Sequence, residues 1–166
     1  MAAQLSVGLL LYRPTGSTGP LEFLIAKMGG PFWTHKHEHS WTIPKGIAEA
    51  ADPDELAVAE REFAEEMGSF APIGDTIALG SVKSGNKTIT IFAREGDFDA
   101  TSIRSNTFEL EWPPRSGAKR QFPEVERADW VSADEARLLL TKNQTMFIDR
   151  LLDAISIRPP SLGPNL

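Results

Sequence analysis

The sequence predicts one mixed domain of the α/β (α+β) class. Apolar or alternating runs with the length of β-strands occur both before and after an amphipathic helix pattern at residues 53–67. A length of 166 residues with 41% hydrophobic residues is enough for one well-buried core. No internal repeat or interdomain linker is found, so we expect a single domain over residues 1–157 and a poorly ordered, Pro-rich tail over residues 158–166.

Three strands are predicted before this helix. Residues 4–13 and 21–28 are apolar runs of strand length, and the residues between them are rich in glycine, proline and threonine, as is typical of a turn. A polar loop then leads to a short strand at residues 41–44, which ends at a proline. The chain is therefore expected to open with a hairpin that has a long connection.

The predicted helix follows a loop at residues 46–54. Asp52 is the predicted N-cap and Pro53 suits the first turn, whereas Gly68 is the predicted C-cap. The apolar stripe of the helix repeats at steps of three and four, and it consists of Leu56, Ala59, Phe63 and Met67. This stripe is expected to cover the sheet.

Four strands and two further helices are predicted after it. The strands are expected at residues 75–83, 86–95, 107–112 and 127–132, and the helices at residues 134–140 and 144–157. A tight Ser-Gly-Asn turn at residues 84–86 is expected to join the first two of these strands.

The composition excludes several classes of protein. The net charge of −6 argues against binding to the backbone of nucleic acids, which requires clustered Lys and Arg, so no stable nucleic-acid partner is expected. The absence of cysteine excludes disulfides and thiolate metal sites. The longest apolar run near the start is too short to span a bilayer and lacks the features of a signal peptide, so we expect a cytoplasmic protein without membrane association.

Three glutamates lie close together on the predicted helix, in the sequence REFAEEMG at residues 61–68. Glu62 is three positions from Glu65 and four from Glu66, so the three side chains share one side of the helix, at its edge with the core. Each like-charged pair costs roughly a few tenths of a kcal/mol, and a bound cation would offset that repulsion. Carboxylate oxygens suit the hard ions Mg²⁺ and Mn²⁺.

The order of residues around these glutamates resembles the signature of the Nudix hydrolase family. In that signature a Gly is followed by a Glu and then by Arg-Glu, a hydrophobic residue, any residue, Glu-Glu, any residue and Gly. Here Gly46, the last residue of IPKG, begins the pattern, and residues 61–68 match every fixed position, with Ser69 in place of a closing hydrophobic residue. Four further segments resemble a bacterial subgroup of predicted pyrophosphohydrolases: GGPFW, WTIPKG, FELEWPPRSG and FPEVERADW.

The interval between Gly46 and Arg61 is one residue longer than in the family. Counted forward from Gly46, the first acidic position of the signature falls on Asp52, whereas counted back from Arg61 it falls on Pro53. In the family this acid mainly supports the Arg and the loop. Either Asp52 or Asp54 is therefore expected to take that role.

The resemblance implies an α/β/α sandwich around a mixed β-sheet and a metal site at its edge. The Gly46 carbonyl and the carboxylates of Glu62, Glu65 and Glu66 are the implied ligands of Mg²⁺ or Mn²⁺. Arg61 is implied to orient the glutamates.

The resemblance leaves the general base open. In this family the base is either a helix glutamate, here Glu62 or Glu65, or an acid from a later loop, here Glu124 or Glu126. Lys45, beside the metal loop, is a candidate contact to substrate phosphate. Each of the later acids and Lys45 would also fit an ordinary exposed position.

Two functions follow as expectations. The first is metal-dependent hydrolysis of a phosphoanhydride bond in a nucleoside diphosphate linked to another group, with a nucleotide or dinucleoside polyphosphate as the favoured small-molecule substrate. The alternative is a Nudix-like nucleotide-binding or regulatory module that has lost catalysis. The sequence leaves the oligomeric state open.

Two other patterns have simpler interpretations. His35, His37 and His39 alternate like a metal-binding stripe, but an exposed strand or loop gives the same pattern, and no matched fourth ligand is nearby. The tryptophans are expected to pack in the core or at its rim, with base stacking as the alternative for one of them; they are Trp33, Trp41, Trp112 and Trp130.

Overall fold

The computed structural model describes residues 3–157, which form a mixed sheet with helices on both faces. The strands are β1 (Gln4–Pro14), β2 (Leu21–Met28), β3 (Trp41–Thr42), β4 (Lys45–Ile47), β5 (Ile77–Ser84), β6 (Lys87–Glu95), β7 (Thr107–Glu111), β8 (Lys119–Pro123) and β9 (Val125–Ser132). The helices are α1 (Glu55–Met67), α2 (Ala133–Leu139) and α3 (Met146–Ile157), with a 3₁₀ turn at Ala100–Ser102.

The sheet is built around β1. On one side β1 pairs in parallel with β6 along its length, and β5 follows β6 as the antiparallel edge. On the other side β1 pairs with β2 only where Tyr12 faces Phe23 and in the two following pairs, and then the two strands diverge. The short strands β4 and β3 occupy the gap, with β4 paired to β1 and β3 paired to β2. Strand β9 completes the far side of β2.

The core lies in two layers because side chains alternate along β1 between the two faces of the sheet. Val7, Leu9 and Leu11 pack with α1 on one face. Leu10 and Tyr12 pack on the other face with the buried residues of α2 and α3. The predicted α/β/α sandwich is confirmed, and this double burial explains why β1 is an almost unbroken apolar run.

Helix α1 begins later than predicted. Its N-cap is Asp54, whose side chain accepts a hydrogen bond of 2.8 Å from the Ala57 amide, so the prediction of Asp52 as the cap is wrong. Gly68 ends the helix with φ of 84°, as predicted. The buried stripe contains Val58 where the sequence pattern suggested Leu56, which is half-buried.

Two strands were not predicted, and both depend on distant partners. Strand β4 lies in the expected loop at residues 46–54 and is held by β1. Strand β8 forms a separate two-stranded sheet with β7, in which Phe108 faces Phe122. Helix α3 begins at Met146, two residues later than predicted, and the Gln144 amide donates to the Thr141 carbonyl in the turn before it.

The predicted tail at residues 158–166 lies outside the described residues. Within residues 3–157, no helix combines the length and the apolar character that crossing a membrane would require.

Candidate active site

The gap between β1 and β2 opens into a cleft of about 900 Å³. Strand β4 and the glutamates of α1 form part of its wall, and Glu124 lines it from the turn between β8 and β9. Trp33 and Phe108 add aromatic surface. Of the sequence-predicted site residues, the cleft brings together Lys45, Gly46, Glu62, Glu65, Glu66 and Glu124, whereas Arg61 does not line it. The volume of the cleft is within the usual size range of small-molecule sites.

The three helix glutamates differ in exposure. The Glu62 side chain is 12% exposed and that of Glu65 is 43% exposed. Glu66 is buried, and one of its carboxylate oxygens accepts a hydrogen bond of 3.3 Å from the Lys45 amide. The sequence predicts all three side chains at the edge of the helix with the core, and Glu66 lies deeper than this, where it contacts β4.

Arg61 binds several of the acidic groups around it. Its Nε and Nη2 donate to the two carboxylate oxygens of Asp52 at 3.0 and 2.9 Å. Its Nη1 donates to Glu62 at 2.9 Å and to Glu65 at 3.4 Å, and Nη2 also donates to the Ile47 carbonyl at 3.1 Å. The paired hydrogen bonds with Asp52 lower the pKa of that carboxyl group. Arg61 thereby connects the loop, β4 and α1.

Asp52 rather than Asp54 occupies the supporting position next to Arg61. Asp52 also accepts a hydrogen bond of 2.8 Å from the Glu49 amide, which closes the loop before α1. Asp54 binds the first turn of the helix instead. The longer interval thus contains two aspartates with different roles: Asp52 supports the loop, and Asp54 caps the helix.

We expect different results from removing these two aspartates. Asp54→Ala should lower the free energy of unfolding by about 1 kcal/mol, the usual cost of losing an N-cap, and should leave turnover within about twofold. Asp52→Ala should lower turnover by about 10- to 100-fold, because Arg61 would lose the group that orients it. Urea denaturation and nucleotide hydrolysis measured on both variants check this. A larger loss of turnover in Asp54→Ala would assign the supporting role to Asp54.

Gly46 lies directly against Glu62. A Cβ atom built at Gly46 would be 1.9 Å from the carboxylate carbon of Glu62. Only a residue without a side chain leaves the Glu62 carboxylate in this place. The glycine of the signature therefore allows the Glu62 carboxylate to lie against β4.

The site holds more negative than positive charge. Burial raises the pKa of Glu66 to about 8, although Lys45 opposes this shift. Burial also raises the pKa of Glu62, with a further contribution from Glu65. Desolvation lowers the pKa of Lys45 despite its acidic neighbours. Such a surplus of partly buried carboxylates fits a divalent cation, and the donors are the hard oxygen ligands that Mg²⁺ and Mn²⁺ prefer.

In the structure these carboxylates face Arg61 and Lys45. Among residues 3–157, no three acidic or histidine side chains are close enough together to form a complete set of metal ligands. The chemistry of the donors therefore fits a metal ion, whereas in the present conformation Arg61 binds Glu62 and Glu65 and the Lys45 backbone amide binds Glu66.

Glu124 is held at the cleft by backbone contacts with α1. The Asn106 amide donates to the Glu65 carbonyl at 2.9 Å, and the Glu124 amide donates to the Asn106 carbonyl at 2.9 Å. The Gly29 amide donates to the Glu124 carbonyl, also at 2.9 Å. Glu126, the other acid considered, does not line the cleft.

Several cleft residues had no recognisable signal in the sequence. Thr42, Lys87, Asn106 and Gln144 line the cavity although none belongs to the signature. Each is a common polar residue whose position is decided by the pairing of distant segments. Only the fold could have identified them.

The three histidines lie in the loop between β2 and β3, and the tryptophans occupy different environments. His35 and His37 are exposed, and Nδ1 of His39 lies 2.8 Å from the Leu140 carbonyl. Trp41 is buried in the core, whereas Trp33 reaches the cleft wall.

Comparison with known proteins identifies the family. Residues 2–151 match the family model described as the NUDIX domain, so the chain belongs to this family. Curated proteins give no match.

Solved structures share the fold at low sequence identity. The NUDIX domain of Shewanella oneidensis NrtR complexed with ADP ribose is 16% identical, and the alignment covers 93% of this chain and 90% of that chain with a TM-score of 0.61. A C. elegans Ap4A hydrolase in a binary complex is 18% identical, with coverage of 92% and 98% and a TM-score of 0.57. A NUDIX hydrolase from Nitrosomonas europaea is 18% identical, with coverage of 92% and 90% and a TM-score of 0.59.

The predicted family, the mixed α/β fold and the class of Nudix hydrolase are confirmed. The roles of individual site residues remain predictions.

Proposed function

We propose that this protein hydrolyses a phosphoanhydride bond in a nucleoside diphosphate linked to another group, in a reaction that depends on Mg²⁺ or Mn²⁺. A nucleotide or dinucleoside polyphosphate is the favoured substrate. The observation that carries the proposal is the buried carboxylate of Glu66, which shares the wall of a cleft of about 900 Å³ with Glu62, Glu65 and Gly46.

The residues that would hold the ion are the three helix glutamates and the Gly46 carbonyl. When bound, a divalent ion supplies an activated water and neutralises charge that develops on the phosphate. Arg61 orients Glu62 and Glu65 through its hydrogen bonds, and Asp52 fixes Arg61. The protein thus supplies oxygen ligands whose positions are set by a second layer of contacts.

The remaining groups of the cleft have complementary roles. Water attacks one phosphorus, a carboxylate accepts the proton of that water, and the bond from phosphorus to the bridging oxygen breaks, so that the leaving phosphate keeps the electron pair. Glu124 is the base that we favour, because it lines the cleft and is attached to α1 through Asn106. Lys45 brings a positive charge to the same cleft, where substrate phosphate would accept a hydrogen bond.

The choice of base can be tested with a matched pair of variants. Glu124→Gln should lower turnover by about 100-fold or more, within the range that general bases contribute, while leaving nucleotide binding intact. Glu126→Gln is the control, because this acid is two residues away, exposed and outside the cleft. Equal turnover in the two variants would assign the proton transfer to a helix glutamate.

A panel of nucleotides tests the proposed reaction itself. We expect release of phosphate-containing products from at least one of three substrate types in the presence of Mg²⁺: ADP-ribose, dinucleoside polyphosphates and nucleoside triphosphates. Excess EDTA should abolish the reaction, and added Mg²⁺ or Mn²⁺ should restore it, because the candidate ligands are hard oxygen atoms. Turnover that persists unchanged in EDTA would contradict the mechanism.

A nucleotide-binding module without catalysis is the second candidate. The longer interval between Gly46 and Arg61 favours it, as does the engagement of Glu62 by Arg61. Nucleotide binding by calorimetry without hydrolysis of any panel member would support this function. Hydrolysis of any member would exclude it.

A further inference from the structure

A segment late in the chain runs alongside the segment that leads into the active site. The His39 amide donates to the Leu138 carbonyl at 3.1 Å, and the Thr141 amide donates to the Trp41 carbonyl at 3.0 Å. Trp41 also forms a parallel bridge with Leu140. Residues 138–141 therefore hold residues 39–41 in place through backbone contacts.

The Gln144 side chain extends this attachment toward the site. Gln144 is 2% exposed. Its Oε1 accepts a hydrogen bond of 2.8 Å from the Ile43 amide, and its Nε2 donates to the Thr42 hydroxyl at 3.0 Å. The Thr42 hydroxyl in turn donates to the Ile43 carbonyl at 2.8 Å. Both the oxygen and the nitrogen of the Gln144 side-chain amide are thus hydrogen-bonded at a nearly fully buried position.

The residues that follow Ile43 are those that form the candidate site. The Leu9 amide donates to the Pro44 carbonyl at 3.1 Å, and the Lys45 amide donates to Glu66 at 3.3 Å. Gly46 follows directly and lies against Glu62. The segment of residues 42–46 is therefore fixed by Gln144 at one end and by β1 and Glu66 at the other.

We propose that Gln144 is a positioning residue for the active site, acting through Thr42 and Ile43 on Lys45 and Gly46. The predicted effect on catalysis rests on the proposed function. The predicted effect on the position of residues 42–46 rests only on the hydrogen bonds described above. Loss of the Gln144 amide leaves the buried Ile43 N–H without a partner, and the segment can recover a hydrogen bond only by shifting. A shift of about 1 Å in a catalytic group can lower turnover by about 100-fold.

The experiment compares four variants. Gln144→Leu removes both hydrogen bonds at similar volume. Thr42→Val removes only the hydroxyl, and Thr42→Ser retains it. Thr90→Val is the matched control, because Thr90 is also buried and its hydroxyl lies 2.6 Å from that of Ser81, in the β5–β6 pair. For each variant, kcat, the midpoint of urea denaturation and the amide NMR signals of Lys45 and Gly46 are measured.

We expect kcat to fall by about 100-fold in Gln144→Leu and by about tenfold in Thr42→Val, which keeps the bond from the Ile43 amide. Thr42→Ser should restore kcat to within about twofold. The Lys45 and Gly46 signals should move in the first two variants. Thr90→Val should lose stability but keep both kcat and those signals.

Each outcome decides the proposal. A kcat in Gln144→Leu and Thr42→Val equal to that of Thr90→Val, with unmoved Lys45 and Gly46 signals, would overturn it. If Gln144→Leu does not fold, the contrast between Thr42→Val and Thr42→Ser decides. If wild type hydrolyses no nucleotide, the proposed function fails, whereas the NMR signals of the variants still show whether Gln144 positions the segment.

Discussion

Replacing Glu66 by Gln should lower turnover by about 1,000-fold, or about 4 kcal/mol of transition-state stabilisation, without lowering the stability of the metal-free protein. The substitution keeps the shape of the side chain but removes the charge that a divalent ion requires. Burial raises the pKa of Glu66 to about 8, which means that the metal-free fold disfavours the charged form of this side chain. Glu66→Gln should therefore lose activity while keeping its stability.

The pH dependence of stability gives an independent measurement. Between the ordinary pKa of 4.5 and the folded-state pKa of about 8, the folded protein binds more protons at Glu66 than the unfolded chain does. Glu66 therefore destabilises the folded state progressively as pH rises through this window, and it contributes no penalty below the window. Urea denaturation of metal-free wild type and Glu66→Gln should show the mutant gaining relative stability as pH rises.

Metal binding should stabilise the wild type more than it stabilises Glu66→Gln. An ion present at 100 times its dissociation constant stabilises the native state by about 2.7 kcal/mol, and Glu66→Gln should lose most of that gain. Glu55→Gln, at the exposed first turn of the same helix, is the matched control and should keep both the Mg²⁺-dependent shift and the turnover. If Glu66→Gln behaves like this control, Glu66 is not a metal ligand.

Gly46→Ala should inactivate the protein by about 100-fold through displacement of one carboxylate. The new methyl group would meet the Glu62 carboxylate carbon at 1.9 Å, so the side chain of Glu62 must move away. That movement breaks its 2.9 Å hydrogen bond with Arg61. The carboxylate is at the end of a flexible side chain, so the free energy of unfolding should change by less than about 1 kcal/mol.

Gly74→Ala is a suitable control for this change. Its new methyl group would be 3.5 Å from the nearest side-chain carbon of Arg94, which is ordinary contact, and the position is remote from the cleft. Both variants should remain folded, and only Gly46→Ala should lose turnover and Mg²⁺ affinity. Full activity in Gly46→Ala would show that the place of Glu62 beside Gly46 is not needed for catalysis.

The local part of this site could be predicted from the sequence, because helix α1 carries most of it. The spacing of Glu62, Glu65 and Glu66 is fixed by helical geometry, and so is the side from which Arg61 approaches. The roles of Asp52 and Asp54 could not be assigned in the same way. Both are aspartates and either could cap a helix, so the assignment depends on which of them the loop brings to Arg61.

The remainder of the site depends on pairings between distant segments. Strand β4 consists of Lys45, Gly46 and Ile47, which have no strand pattern, and it exists because β1 offers a free edge beyond its short pairing with β2. Glu124 reaches the cleft only through the backbone of Asn106. Sequence patterns reflect local periodicity, so they cannot predict contacts between distant segments.

The attachment of Ile43 to Gln144 also has a consequence for how the protein is made. The two residues are 101 positions apart, and at about 5 to 20 residues per second the ribosome needs about 5 to 20 s to pass from one to the other. Once residue 66 has been synthesised, the nascent chain carries the signature glutamates, while the segment before Gly46 still lacks its partner. Catalytic competence should therefore arise only after the end of the domain has been synthesised. Prematurely terminated products that stop before Gln144 should be inactive, even though they contain the whole signature.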